Sequence, residues 1–128
     1  MKTRYVIALS AAAGIAAGAA AVETLHAQAK APGFVIAEID VNNVDGYTKE
    51  FLPFAAKPLA DGGAKFVVRG GKPMALEGAA PPSRIVITRF DSQEQGKAAY
   101  TSPAYMEARK IGDKYAKFRI YTVEGLGE

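Results

Sequence analysis

The chain has 128 residues, a net charge of +3, a single histidine and no cysteine. The lack of cysteine excludes disulfides, thiolate nucleophiles, zinc–thiolate sites and iron–sulfur clusters. Basic residues are interspersed with acidic ones and form no run longer than the pair Arg109-Lys110, so the basic patch typical of a nucleic-acid-binding protein is missing.

The first 29 residues are predicted to be a cleavable secretion signal. Lys2 and Arg4 open the chain, an uncharged Ala-rich stretch covers 5–22, and Ala27-Gln28-Ala29 places small residues where a signal peptidase reads them. An uncleaved membrane anchor is the alternative, because the apolar stretch approaches the ~20 residues that span a bilayer. We predict cleavage, and therefore a periplasmic or secreted product that no membrane segment retains.

Cleavage would leave residues 30–128 as a single domain. Removing Lys2, Arg4 and Glu23 from the 16 basic and 13 acidic residues leaves 14 and 12, a net charge of +2. The only histidine, His26, is removed as well. Without an imidazole, the domain cannot form a Ser-His-Asp triad, a histidine-ligated haem site or an ordinary zinc site. We therefore expect no metal and no cofactor.

The first half of this domain predicts a strand, a helix and a second strand. Residues 34–41 alternate, with a wholly apolar face formed by Val35, Ala37, Ile39 and Val41 and a second face formed by Phe34, Ile36, Glu38 and Asp40. A helix capped by Asn42, Asn43 or Asp45 follows, with an apolar stripe of Val44, Tyr47, Phe51, Phe54, Ala55 and Leu59. Pro53 and Pro58 predict a kink or two short pieces, and Gly62-Gly63 predicts its end.

The next strand is predicted over 64–69, with Phe66 and Val68 on one face and Val67 and Arg69 on the other. After a turn at 70–73, a short strand extension is expected over 74–77, followed by a Pro-containing loop to Ser83.

The second half repeats the pattern of strand, helix and strand. A strand is predicted over 84–90, and Ser92 with Gln95 matches a reciprocal capping box at the start of a helix. Ser102-Pro103 predicts that a new helix begins there. Its expected buried stripe consists of Ala104, Ala108, Ile111 and Tyr115, and a last strand is expected over 118–123.

This order predicts an α+β domain of the ferredoxin-like βαββαβ class, with a four-stranded antiparallel sheet and both helices on one face. The other sheet face would expose Phe34 and Ile36, and exposed apolar patches of this kind usually mark an interface. We therefore expect a homodimer that associates through the sheets. The alternative is a monomer in which residues 74–83 cover the sheet.

With these elements placed, the domain resembles the bacterial family known as domain of unknown function 1330. The resemblance is carried by 33–39, 62–71, Leu76-Glu77-Gly78, 84–90, 100–105 and 123–125. Its specificity comes from the combination of Ser102-Pro103-Ala104-Tyr105, within a helical context, with the upstream Glu77-Gly78, since either piece alone is a weak signal. The resemblance implies a dimeric α/β barrel. It implies no catalytic residue, because the family has no agreed activity.

Seven side chains are candidates for contact with a small-molecule ligand. They are Glu38, Tyr47, Arg69, Glu77, Arg89, Ser102 and Tyr105. Glu38 is either an acid or base in a cleft or an interface ion-pair partner of Arg69 or Arg89. The arginines could bind a carboxylate or remain solvated. Each of the others has a structural alternative: a loop hydrogen bond for Glu77, helix capping for Ser102 and core packing for the tyrosines.

Two functions follow from these candidates. One is a dimeric protein that binds a small, partly apolar carboxylate and whose chemistry, if it has any, is proton transfer or cofactor-free oxidation. The other is a non-enzymatic binding or structural dimer module. The sequence does not decide between enzyme and non-enzyme.

Overall fold

In the computed structural model, residues 31–127 are described, and they form one antiparallel sheet with helices packed against one face. The predicted secretion signal, 1–29, and its cleavage site lie outside the described residues. No helix within 31–127 has the length and apolar character needed to cross a bilayer.

The secondary structure follows the predicted order. Its elements are β1 (Gly33–Val41), α1 (Val44–Gly46), a π-helical turn (Tyr47–Phe51), α2 (Leu52–Asp61), β2 (Lys65–Gly71), β3 (Arg84–Phe90), α3 (Gln93–Tyr100), α4 (Pro103–Gly112) and β4 (Ala116–Glu124). The strands lie in the order β2-β3-β1-β4, and all neighbours are antiparallel. This arrangement confirms the predicted ferredoxin-like α+β class.

The inner face of β1 lies at the centre of the core. Val35, Ala37 and Ile39 are each at most 3% exposed, as their alternation predicts. On the outer face, Ile36 lies between Ile87 of β3 and Tyr121 of β4. One face of β1 therefore lies in the core, and the other belongs to an outer sheet surface that no helix or strand of 31–127 covers.

The first helix is interrupted, but differently from the prediction. Its interruption is the π-helical turn, in which the Leu52 N–H donates to the Tyr47 carbonyl five residues earlier. The wider turn aligns residues four apart, so the buried stripe is Tyr47, Phe51, Ala55 and Leu59. The predicted members Val44 and Phe54 are 69% and 60% exposed, so their assignment to the stripe was wrong.

The two predicted serine caps are present. The Ser92 Oγ accepts from the Gln95 N–H at 3.1 Å, and the Ser102 Oγ accepts from the Tyr105 N–H at 3.3 Å. The reciprocal half of the capping box is wrong, because the Gln95 amide accepts from the Asp91 N–H and donates to the Gly62 carbonyl. Gln95 thus joins the start of α3 to the end of α2.

The buried stripe of α4 also differs from the expected one. Its buried residues are Tyr105, Ala108 and Gly112, whereas Ala104 is exposed. Gly112 allows close packing, because a Cβ there would lie 2.7 Å from the Phe51 ring.

Strand β2 contains irregularities that change which side chains share a face. The register shifts between Phe66 and Val68, so Phe66 pairs with Thr88, Val68 with Ile87 and Arg69 with Val86. Thr88 and Val86 are inner-face residues, so Arg69 shares the inner face with Phe66. The prediction that Phe66 and Val68 share a face was wrong because a bulge reverses the alternation beyond it.

The connection between β2 and β3 does not cover the outer sheet face. Residues 74–77 form no strand, which corrects the expected extension, and Met74 and Leu76 are 83% and 94% exposed. Ser83 ends the connection, with its N–H donating to Asp40 Oδ1 and its Oγ donating to the Ile39 carbonyl. The alternative of a monomer whose sheet is covered by this segment is therefore not supported.

Candidate functional site

A cavity of about 150 Å³ lies between the inner sheet face and the helices. It is bounded by side chains from all four strands, the π-helical turn, α2, α3 and α4. Its lining residues are Ala37, Ile39, Tyr47, Phe51, Leu52, Ala55, Ala56, Leu59, Phe66, Arg69, Arg84, Val86, Tyr100, Tyr105 and Phe118. A largely apolar lining with a few convergent polar groups is typical of a small-molecule site.

The charged groups of the lining are all of one sign. Arg69 and Arg84 are basic, and the lining includes no Asp or Glu. A cavity with two guanidinium groups and no acidic counterpart is electrostatically complementary to an anion.

Two buried polar atoms at the cavity have no hydrogen-bond partner among the described residues. They are the hydroxyl of Tyr47 and the Nε of Arg84. Tyr47 as a whole is only 2% exposed. The Arg84 guanidinium carbon lies 5.2 Å from the centroid of the Tyr47 ring. Buried polar groups are normally hydrogen-bonded, so this pair is the strongest structural sign of a ligand site.

Burial raises the pKa of the Tyr47 phenol above its usual value of 10. The positive charge and polar contact of Arg84 offset part of this rise, although the two groups lack the geometry of a hydrogen bond. At neutral pH the phenol is therefore protonated and can donate a hydrogen bond.

Two more tyrosines line the cavity behind Tyr47. Desolvation raises the pKa of both Tyr100 and Tyr105, and the hydrogen bond of Tyr100 to Thr88 opposes part of the rise. The rings of Tyr100 and Tyr105 lie 4.8 Å apart at 61°, an edge-to-face contact that holds both in place.

Arg69 lies at the exposed side of the cavity. Its guanidinium stacks on the Phe66 ring at 3.7 Å from the centroid, a cation–π contact between two neighbours on the inner face of β2. The bulge in β2 makes this contact possible, because it brings both side chains to the same face.

Three of the seven predicted candidates meet at this cavity: Tyr47, Arg69 and Tyr105. Glu38 lies on the outer face of β1, where its carboxylate accepts a hydrogen bond of 2.7 Å from the Tyr121 hydroxyl. Arg89 is also on the outer face, opposite Phe34. The sheet therefore separates Glu38 from Arg69, and of the two ion-pair partners considered for Glu38, Arg89 shares its face whereas Arg69 does not.

The remaining two candidates lie away from the cavity lining. Glu77 is in the exposed connection between β2 and β3. Ser102 caps α4, and its Oγ also donates to the Ala99 carbonyl at 2.9 Å. Helix capping, the structural alternative for Ser102, accounts for these hydrogen bonds.

Sequence reasoning missed Arg84, Phe66 and Tyr100 as lining residues. A signal for Arg84 was present, because alternation along β3 places it on the same face as Val86 and Thr88. Within 31–127, no three His, Cys, Asp or Glu side chains come together as a metal site would require.

The fold and the cavity together define a ferredoxin-like α+β protein with an uncovered outer sheet face and a partly open cavity between the inner sheet face and the helices. The chain belongs to the family described as domain of unknown function (DUF1330), whose model matches residues 32–126. A search of the curated proteins found no significant match.

Several solved structures share the fold at low sequence identity. RPA0582, a protein of unknown function from Rhodopseudomonas palustris, has a TM-score of 0.62 at 15% identity, over 77% of this chain and 85% of its own. HapK from Hahella chejuensis has a TM-score of 0.54 at 15% identity, over 75% and 94%. A protein from Bacteroides fragilis, described as dimeric and ferredoxin-like, has a TM-score of 0.50 at 16% identity, over 73% and 95%.

Proposed function

We propose that this chain is exported and that its domain is a homodimeric binding protein for a small, partly apolar carboxylate. The observation that carries the proposal is the pair of buried donors, the Tyr47 hydroxyl and the Arg84 Nε, that lack a partner at a cavity with two arginines and no acid. A carboxylate would satisfy both donors at once and neutralise one positive charge.

The energetics favour an anion with an apolar body. An unsatisfied buried donor costs about 1–3 kcal/mol, so a ligand that supplies the missing acceptor recovers part of that free energy on binding. The apolar body of the ligand would be desolvated among Phe51, Leu59 and Phe118, which adds about 25 cal/mol for each Å² of apolar surface removed from water.

Binding without turnover is favoured over catalysis. The lining has three tyrosines, which their raised pKa values keep protonated at neutral pH, and two arginines, whose guanidinium groups have donors and no acceptor. They can donate hydrogen bonds, but none can serve as a general base. Catalysis on a bound carboxylate would therefore require a general base that belongs to the ligand itself or to a residue outside the cavity lining.

Dimerisation is supported by the composition of the outer sheet face. Phe34, Ile36, Ile87 and Val123 form an adjoining apolar group there, and Val123 is 46% exposed. The similar Bacteroides fragilis protein is described as dimeric. A second copy packed against this face would remove the group from water.

Export rests on the order of residues at the start of the chain. Its basic, apolar and small-residue regions match those of a secretion signal, and cleavage after Ala29 would start the product at Lys30.

The test is purification of the protein from the periplasm of cells that express the full chain. Intact mass and N-terminal sequencing would show a product that starts at Lys30. Native mass spectrometry followed by denaturation would then release a small acid from a dimeric complex. A product that is retained in the cytoplasm, or that binds no carboxylate in a broad aliphatic and aromatic panel, would refute the corresponding part of the proposal.

A matched turnover assay separates carrier from enzyme. Bound carboxylates would be recovered unchanged after incubation with the protein in air, with Arg84→Met as the comparison. Conversion by the unmodified protein that Arg84→Met abolishes would establish catalysis at the cavity instead.

A further inference from the structure

Aromatic rings form a large part of the cavity wall. Six of its lining residues are aromatic: Tyr47, Phe51, Phe66, Tyr100, Tyr105 and Phe118. The Phe51 and Phe118 rings meet at 61° with centroids 5.2 Å apart. Inclined rings of this kind present both faces and edges to a neighbouring ring, which is the geometry that aromatic pairs prefer.

The volume agrees with one ring. A cavity of about 150 Å³ is the size of an engineered apolar cavity that binds benzene. Pockets for drug-sized ligands are about 300–1,000 Å³, well above this volume.

We infer that the ligand of the proposed binding site is a single-ring aromatic carboxylate. Its ring would pack among the six aromatic side chains, and its two carboxylate oxygens would accept from the Arg84 Nε and the Tyr47 hydroxyl. This inference rests on the proposed function and specifies its ligand class. Two free donors match a planar carboxylate, whereas a phosphate has three acceptor oxygens and up to two charges to satisfy.

Arg84 is the specificity-determining residue in this arrangement, and Gly70 positions it. Gly70 has φ of +69°, and a Cβ on it would lie 2.3 Å from the Arg84 Nη1. The Arg84 guanidinium therefore packs against the backbone of Gly70, and a side chain at position 70 would displace it. Gly70 lies at the irregularity of β2 between Arg69 and Gly71, which allows this close packing.

The ligand class is tested with three probes of similar size and the protein purified from full-chain expression. The probes are benzoate, cyclohexanecarboxylate, which lacks the flat ring, and benzyl alcohol, which lacks the charge. Titration calorimetry is expected to give benzoate an affinity about tenfold above that of benzyl alcohol. The reason is that hydrogen bonds to a charged group are stronger than hydrogen bonds between neutral groups by about that factor. Its advantage over cyclohexanecarboxylate is expected to be about threefold, from aromatic contacts.

The outcomes separate this inference from the proposed function. Equal or tighter binding of cyclohexanecarboxylate would overturn the aromatic assignment and leave a carboxylate site. Equal or tighter binding of benzyl alcohol would overturn the carboxylate assignment. If no probe and no other carboxylate binds, the proposed function fails together with the inference.

The role of Gly70 has a matched control at Gly78. Both glycines have positive φ, +69° and +83°, so alanine is strained at either position, but nothing lies within 4 Å of a Cβ at Gly78. Gly70→Ala is expected to weaken benzoate binding about tenfold and to change benzyl alcohol binding less than about twofold. Gly78→Ala is expected to leave both affinities unchanged.

Arg84→Met provides a second variant that keeps the aliphatic packing and removes the charge. It is expected to lose the preference for benzoate over benzyl alcohol, as Gly70→Ala does. If Gly70→Ala binds benzoate as tightly as Gly78→Ala, Gly70 does not position Arg84. If Arg84→Met keeps the preference, Arg84 does not recognise the carboxylate.

Discussion

The hydroxyl oxygens of Thr88 and Tyr100 lie 3.0 Å apart and form a hydrogen bond inside the core. Thr88, in the middle of β3, is fully buried, and Tyr100 closes α3 at the wall of the cavity. The bond therefore fixes the end of a helix against the sheet and determines where one aromatic wall of the candidate site lies.

This pair predicts strong coupling in a double-mutant cycle. Thr88→Val and Tyr100→Phe each leave one buried hydroxyl without a partner, and each is expected to destabilise the protein by about 1–3 kcal/mol. The loss of unfolding free energy in the double variant is expected to be about 1 kcal/mol smaller than the sum of the losses in the two single variants. Urea unfolding measures all four proteins, and simple additivity would contradict the coupling.

Tyr47→Phe is expected to make the unliganded protein more stable. The substitution keeps the ring and removes a buried hydroxyl without a partner, which predicts a gain of about 1 kcal/mol in the free energy of unfolding. The same variant is expected to bind a small carboxylate more weakly. Tyr100→Phe is the comparison, because it removes a partnered hydroxyl and has the opposite effect on stability. A loss of stability in Tyr47→Phe would show that its hydroxyl is already satisfied.

Stability is expected to fall at alkaline pH because of the buried tyrosines. Burial raises the pKa of Tyr47, Tyr100 and Tyr105 in the folded state above the ordinary value of 10. Above that value the unfolded chain loses phenolic protons that the folded chain retains, so stability is full below pH ~10 and declines as pH rises beyond it. Each tyrosine contributes a slope of at most about 1.4 kcal/mol per pH unit.

Urea unfolding between mildly and strongly alkaline pH tests this decline. Tyr47→Phe is the control, since it removes one of the three groups and is expected to make the slope shallower. An identical slope in both proteins would show that Tyr47 takes no part in the linkage.

The proposed dimer predicts that one charge on the outer sheet face yields a monomer. Ile87 lies at the centre of that face, between Val68 of β2 and Ile36 of β1. Ile87→Lys would place an ammonium group within the apolar contact, where it has no acidic partner across the strands. Light scattering is expected to give a monomer mass for this variant at concentrations where the unmodified protein is dimeric.

Phe54→Lys is the matched control for this experiment. Phe54 is also apolar and 60% exposed, but it lies on the helix side of the protein. A dimer is expected to persist in this variant. If Ile87→Lys remains dimeric, or if both variants dissociate, the interface is not the outer sheet face.

The fold could be predicted because it depends on local patterns. Alternation identified β1, the content of Ile and Val identified β3, and the serine caps at Ser92 and Ser102 marked the starts of two helices. The repeated order of strand, helix and strand then indicated a ferredoxin-like antiparallel sheet with both helices on one face. The stripe of the first helix could not be predicted in full, because a π-helical turn changes the period on which such a prediction depends.

The candidate site was only partly predictable. Tyr47, Arg69 and Tyr105 were identified by residue type, without any basis for bringing them together. The assumed regular alternation of β2 placed Arg69 on the face opposite to Phe66 and Val68, whereas the bulge places it on the inner face with Phe66 and away from Glu38. One extra residue in a strand reverses every later side chain, and nothing in the local sequence marks the position of the bulge.

The sequence by itself determined the βαββαβ order, the inner face of β1 and the lack of cysteine in the whole chain and of histidine beyond position 26. These properties depend on composition and on periods of two to four residues, which near neighbours establish. Only the tertiary structure decided that Arg84 rests against Gly70 and that the Tyr47 hydroxyl is buried without a partner. Those contacts join segments far apart in the chain, and their geometry depends on how the bulged strand, the π-helical turn and the aromatic core pack together.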